Sequence, residues 1–230
     1  MAYLGAFYRT YALDFWGFGE SGKKRETYAV QDFVSLVNQF MEQLGIVHAP
    51  LVGHSMGGTV SLSVAIKYPE RVSKVVVAGS PIVGSSLAPL LKLSGYRPIA
   101  FLAFNMMGPF RAWMKYFYSP IICKDPRFPA MMDRDLSRTT VESFLLSIAS
   151  LRRTDLRPSL NQIKVPALGF YGDKDKIVHP LQWQPMQQGI PQARIERFPS
   201  AGHFMMLEEP TAFSQKLKDF LDEPQPVPAP

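Results

Sequence analysis

Gly53-His54-Ser55-Met56-Gly57, followed by Gly58, sets a serine among small residues where a short apolar run, Ala49 to Val52, meets a segment of helical period, Thr59 to Lys67. A turn this sharp from strand to helix forces its central residue into strained backbone angles and leaves the serine oxygen exposed. Side chains at the flanking positions would collide with the neighbouring strand and helix, so glycines are expected there. The first turn of the helix aims unpaired amides at the space beside that oxygen. The N–H of Met56 is therefore placed to stabilise the anion formed when Ser55 attacks an acyl carbon.

A serine hydroxyl is a poor nucleophile near neutral pH and needs a base, which in turn needs an orienting carboxylate. His48 precedes a strand and reads as a surface residue. His54, inside the turn, reads as a packing group or one that lies beside substrate, and His179, before Pro180, reads as structural. His203 differs, because Ser200-Ala201-Gly202-His203-Phe204 is a small-residue loop between the last strand segment and the closing helix. From there a side chain reaches over the carboxyl ends of a parallel sheet, where ligands of open α/β sheets sit. For the carboxylate, Gly172-Asp173-Lys174-Asp175-Lys176 follows a strand directly and offers two aspartates, between which the alternation does not choose. The chain order serine, acid, histidine differs from the orders of chymotrypsin-like and subtilisin-like enzymes.

The elements that must position these groups alternate between apolar runs and helical periods, the signature of an α/β protein with a mainly parallel sheet. Strands are expected at Arg9 to Leu13, Ala49 to Val52, Val75 to Ala78, Ala167 to Tyr171 and Arg194 to Phe198. Helices are expected from about Tyr28 to Leu44, with Gly45 as a left-handed cap, and over Thr59–Lys67, Leu181–Gln188 and Thr211–Leu221. Val75 to Ala78 has no polar interruption, which suggests burial on both faces. From 81 to 158 the pattern changes to Leu-, Phe- and Met-rich helical segments cut by prolines, which reads as a helical cap inserted into a core formed by 1–80 and 159–222. Residues 223–230 read as a Pro-rich tail.

Composition narrows the function. The 230 residues are 47% hydrophobic and 12% aromatic, which argues against intrinsic disorder. No apolar run reaches the roughly 18 residues of a membrane-spanning helix, so no stable membrane insertion is expected. A net charge of +6 comes from scattered basic residues without a basic stripe, so a solvated surface is favoured over a nucleic-acid footprint. Cys123 is the single cysteine, which excludes an internal disulfide, and no Cys/His cluster has metal spacing. A soluble cytoplasmic protein without metal or cofactor is the expectation, and its oligomeric state is not legible.

The chain resembles the α/β-hydrolase superfamily with a helical cap, through Asp14-Phe15-Trp16-Gly17-Phe18-Gly19-Glu20-Ser21, Gly53 to Gly58, Tyr68-Pro69-Glu70-Arg71-Val72, Gly172 to Asp175, and Ala201-Gly202-His203 followed by Glu208-Glu209-Pro210. The resemblance covers most of the chain. It implies Ser55 as nucleophile, Asp175 rather than Asp173 as acid, His203 as base and Met56 as donor of one oxyanion-hole amide. A serine at the turn disfavours the dehalogenase and epoxide hydrolase chemistry that related families run through a carboxylate.

Two features depart from that pattern. No His-Gly pair exists to mark the loop that supplies the second oxyanion amide. The segment before Asp14 is too short for three strands and their loops, on the order of 30 to 50 residues, so the fold is expected to lack its first strands and the chain to be a fragment of a longer enzyme. Apolar residues of 81–158, among them Phe104, Met107 and Trp113, serve mainly to bury helices, with some left to line a site for a small apolar ester. Contact of that face with lipid is the lesser alternative. The leading expectation is a serine hydrolase working on carboxylic esters through an acyl-enzyme, against a catalytically silent domain that binds an apolar ligand.

Overall fold

The computed structural model describes residues 2–24, 27–89, 91 and 107–224. Its elements follow in chain order. Helix α1 (Ala2–Gly5) and α2 (Val30–Gln43) precede strand β1 (Ala49–His54), helix α3 (Met56–Lys67) and strand β2 (Val72–Ala78). Then come α4 (Met107–Trp113), a π-helical turn (Met114–Tyr118), α5 (Ser119–Ile122), α6 (Phe128–Ser137) and α7 (Val141–Arg153). Strand β3 (Ala167–Gly172), α8 (Trp183–Gly189), β4 (Arg194–Phe198), α9 (Met205–Glu208) and α10 (Pro210–Asp222) complete the chain.

The strands form one sheet in the order β1-β2-β3-β4, with every pairing parallel. Alternation along Val75–Ala78 shows why this part of β2 carries no polar break. Val75 and Val77 point into the core with Phe33, Val34 and Leu62 of α2 and α3. Val76 and Ala78 point into the opposite core with Phe170, Phe198, Phe213 and Leu217. A strand covered by helices on both faces must be apolar at successive positions, since each residue meets a hydrophobic layer.

Helix α2 is fixed at both ends by local chemistry. The Asp32 carboxylate accepts from the Ala29 amide at 2.7 Å, satisfying a donor that the helix leaves free. At the other end Gly45, at φ +65°, donates to Glu42 O while Ile46 donates to Met41 O at 2.8 Å, the paired bonds of a glycine cap.

The strand expected over Arg9–Leu13 does not form; those residues are irregular. They make no backbone bond to β1, and a strand without a ladder partner gains none of the hydrogen bonds that would hold it. Aromatic contacts anchor the segment to α2 instead. Tyr11 meets Phe40 edge-on at 5.8 Å, and Phe15 stacks on Phe33 at 4.6 Å. Strand β1 is thus an edge of the sheet, with Val52 exposed. Leu181 lies in a 3-10 turn ahead of α8, because Pro180 and the His179 side chain, which accepts from the Leu181 amide, start a tighter turn first.

Lys74 of β2 is buried, and its ammonium donates to the carbonyls of Phe220 and Leu221 at 2.7 and 2.8 Å and to that of Glu223. It therefore satisfies the unpaired carbonyls at the carboxyl end of α10 and ties that helix to the sheet. Lys74→Ala should lower the stability of the chain by about 1–3 kcal/mol, read from the midpoint of urea unfolding, because it leaves those carbonyls without a donor.

Candidate active site

Ser55 stands alone between the end of β1 and the start of α3, with φ 53° and ψ −122°. Among the described residues it is the one non-glycine with positive φ. Such a conformation costs on the order of 1–3 kcal/mol and persists only where its surroundings enforce it. Here the strand before and the helix behind enforce it, together with a bond from the Ser55 amide to Ala78 O at 2.8 Å. Crowding falls on Gly53, where a Cβ would lie 2.2 Å from Gly57 O, and on Gly58, where it would lie 1.9 Å from Ser80 Oγ. At Gly57 a Cβ would meet nothing within 4 Å, so the expectation that every glycine of the turn is sterically required holds for two of the three. The helix ladder begins with the Thr59 amide on Ser55 O, which leaves the Met56 amide ahead of it without an intrahelical acceptor.

The loop after β3 carries Asp175, whose side chain is 3% exposed. Its Oδ1 accepts from the amides of Ile177 and Val178 at 2.8 and 2.9 Å, and its Oδ2 lies 2.7 Å from His203 Nδ1. A carboxylate only accepts, so Nδ1 carries a proton, and in the neutral ring the lone pair is on Nε2. Asp173 is turned the other way, into a two-bond pair with Arg197 at 2.8 and 3.0 Å. Of the two aspartates in this loop, the geometry puts Asp175 on the imidazole.

His203 is 3% exposed and follows β4, as the chain order requires. Three glycines make room for it. Gly79, at φ +56°, would place a Cβ 3.1 Å from His203 Nδ1 and 3.4 Å from Asp175 Oδ2. A Cβ on Gly172 would lie 2.2 Å from Gly202 O, and Gly202 itself donates its amide to Glu208 Oε2 at 2.6 Å. The other oxygen of Glu208 accepts from the Lys124 amide at 2.9 Å, joining the His203 loop to the segment after α5. Gly79 was not singled out from sequence. Its signal was a glycine placed directly after the apolar run Val75–Ala78.

His54 lies against His203 with ring centroids 4.6 Å apart, and its Nε2 is 2.9 Å from the His203 carbonyl. Since a carbonyl accepts, Nε2 is the protonated nitrogen of a neutral ring. Burial, and second the like charge of His203, hold the His54 pKa down to about 3. His54 therefore ties the turn bearing Ser55 to the loop bearing His203. Among the described residues no hydrogen bond joins Ser55 Oγ to His203 Nε2. Trp113 closes α4, 43% exposed and stacked on Tyr118 at 5.5 Å. Phe104 and the side chain of Met107 lie outside the described residues.

Other features border this arrangement. A cleft of about 680 Å³ opens between residues 83–89 and 175–188; Asp175 lines it, while Ser55 and His203 do not. Ile177 and Phe204, neighbours of the acid and the imidazole, pack with Ile122, Cys123 and Phe128. Among the described residues no group of His, Cys, Asp and Glu could hold a metal ion, and no helix is long and apolar enough to cross a membrane.

A parallel sheet that presents a strained serine turn after β1, a carboxylate after β3 and an imidazole after β4 defines an α/β-hydrolase. The family model described as serine aminopeptidase, S33, matches residues 5–210, and the chain belongs to that family of hydrolases. It is 29% identical over 228 residues to a 2-hydroxy-6-oxononadienedioate/2-hydroxy-6-oxononatrienedioate hydrolase of Paraburkholderia phymatum, covering 96% of this chain and 79% of that protein. Among solved structures, the enol-lactonase from Burkholderia xenovorans LB400 superposes with a TM-score of 0.77 at 25% identity, covering 91% of this chain and 79% of the other. The α/β-hydrolase MGS-M2, from a Medee basin deep-sea metagenome library, does so with a TM-score of 0.77 at 26% identity, covering 93% and 79%.

The His54 pKa of about 3 lies below its ordinary 6.5, so the folded chain refuses a proton that the unfolded chain accepts. This stabilisation is complete above pH 6.5 and is lost as pH falls toward 3. His54→Gln keeps a donor for the His203 carbonyl and removes the titration. Urea unfolding across that range should show a shallower acid loss of stability for the variant than for the wild type; equal slopes would show that His54 protonates freely in the fold.

Proposed function

We propose that the chain is a serine hydrolase that cleaves a small, largely apolar carboxylic ester through an acyl-enzyme. The observation that carries this reading is the buried Asp175–His203 bond beside the turn that strains Ser55. In the proposed reaction Ser55 Oγ attacks the ester carbonyl as His203 Nε2 takes its proton. Asp175 holds Nδ1–H and stabilises the imidazolium, and the Met56 amide donates to the oxyanion. The alcohol leaves with the proton from Nε2, and water activated by the same nitrogen releases the acid. The bond between Ser55 and His203 is expected to tighten when substrate is bound, as catalytic hydrogen bonds often do.

An apolar substrate is favoured by Ile177 and Phe204, which flank the acid and the base. We read 81–158 as a cap, and assign substrate contact to Phe104, Met107 and Trp113 within it and to His54 beside Ser55. No cofactor enters this chemistry. The names of the relatives favour two neighbouring reactions with the same residues, hydrolysis of a 2-hydroxy-6-oxo dienoate and opening of an enol-lactone. The competing reading, a silent ligand-binding domain, draws on the missing Ser55–His203 bond and on the absence of a His-Gly pair in the sequence.

A fluorophosphonate probe separates the readings. Labelling of the wild type that disappears in Ser55→Ala is expected of the hydrolase, and absence of labelling in folded protein would favour the silent domain. With para-nitrophenyl esters, Asp175→Asn should lower kcat by about 10,000-fold, because an amide at that position favours the wrong imidazole tautomer.

A further inference from the structure

Helix α4, the π-helical turn and α5 run as one helical stretch from Met107 to Ile122. Along it Trp113, Tyr116, Phe117 and Ile121 are 43%, 67%, 67% and 56% exposed. Phe117 and Ile121, four apart, share one side with Tyr116 next to Phe117, while Trp113 stacks on Tyr118, which packs on the seated side. Ser119 and Ile122 are buried in the same stretch, so it has a seated side and an outer side. The seated side ends at the site: Ile122 packs in the cluster that holds Phe204 and Ile177, and its carbonyl lies 3.2 Å from the position of a Cβ on Gly202. A contiguous exposed aromatic and aliphatic face marks an interaction surface rather than ordinary exposure.

Charge and residue type identify the partner. From Met107 to Lys124 the sequence carries Arg111, Lys115 and Lys124 and no acidic residue, within a chain of net charge +6. The Lys115 ammonium lies 5.6 Å over the Tyr116 ring and 3.5 Å from Asp133 of α6, and it remains partly exposed. Two copies of the chain, each with a 107–124 run that is basic and contains no acidic residue, would repel where these runs approach, which opposes self-association through them. An anionic surface is attracted to the same charges. Tyrosine, an apolar body with a polar tip, suits the depth of lipid headgroups, while phenylalanine and isoleucine suit the acyl boundary.

We propose that the face formed by Tyr116, Phe117 and Ile121 docks the protein on an anionic lipid surface, peripherally and without crossing it. Apolar side chains enter the headgroup–acyl boundary while the basic residues approach lipid phosphates. The surface adjoins the His203 loop, so a docked molecule would hold its candidate active site near the lipid. Docking itself does not depend on hydrolysis.

Flotation of the whole chain with vesicles of equal parts phosphatidylcholine and phosphatidylglycerol, without any ester substrate, tests this. The wild type should co-float, bind vesicles of phosphatidylcholine alone more weakly, and lose binding as salt screens the basic residues. The exposed-face variant Phe117→Ser/Ile121→Ser should keep its circular dichroism and bind at least about tenfold more weakly. Lys124→Glu should weaken binding to the anionic vesicles selectively. A wild type that does not co-float, or a double variant that binds equally well, overturns the proposal. So does light scattering that shows a dimer dissolved by Phe117→Ser, since a second copy would then cover the face.

Discussion

A carboxylate taken almost wholly out of water must have its acceptor sites filled, and this requirement at Asp175 organises the end of the sheet. Two backbone amides and one imidazole N–H fill them. The amides belong to residues 177 and 178, so the loop after β3 has to fold back on its own side chain. The imidazole belongs to the loop after β4, so that loop has to lie directly over the first. Close approach of this kind leaves no space for side chains between the layers, and Gly79, Gly172 and Gly202 stand at the points of contact. Placing a methyl group at Gly172 would push the two loops apart and break the bond on which both depend.

The strained serine depends on a different balance. Its backbone conformation is unfavourable, and what holds it is the continuity of β1 into α3 across a single residue. Both elements are anchored by packing that has nothing to do with the serine: α3 buries Val60, Leu62 and Val64 against the sheet and α2, and β1 pairs along β2 from Ala49 to His54. The strain is local, and its support is the whole hydrophobic layer on that face. This explains why Gly53 and Gly58 are crowded while Gly57 is not. Gly53 faces the first turn of α3 and Gly58 faces Ser80 just past β2, whereas a Cβ on Gly57 would meet nothing within 4 Å.

Much of this was legible because the rules involved are local. Parallel strands buried on both faces read as unbroken apolar runs, so Val75–Ala78 and Ala167–Tyr171 could be seen within the longer strands Val72–Ala78 and Ala167–Gly172, and Gly45 marked the end of α2. The order of Ser55, Asp175 and His203 along the chain followed from where each strand ended. What the sequence hid was pairing. Arg9–Leu13 has strand-like residues but makes no ladder, and its aromatic neighbours Tyr11 and Phe15 bind α2 instead. Strand alternation left Asp173 and Asp175 open and only the family resemblance favoured Asp175; the pairing of Asp173 with the distant Arg197 of β4 was not legible. Gly79 acquires its meaning only from an imidazole that arrives from much later in the chain. The role of His54 was likewise hidden, since nothing in the turn motif reveals that its Nε2 reaches the His203 carbonyl.

The two adjacent imidazoles show how the site resolves an electrostatic conflict. On the proposed mechanism His203 becomes a cation in the transition state, and a second cation with its ring 4.6 Å away would oppose that step. Removing the second imidazole would avoid the repulsion and would also cut the bond from the serine turn to the histidine loop. Burial removes the conflict in another way. With a pKa held down to about 3, His54 stays neutral wherever His203 can act as a base, and its Nε2–H remains a donor throughout. The same desolvation that makes His54 a poor base makes it a dependable strut, because its hydrogen bond does not titrate in the range where the proposed chemistry runs. Asp175 completes the asymmetry, since it meets His203 alone: one imidazole has a carboxylate to stabilise its charge, and the other has a backbone carbonyl that fixes its proton.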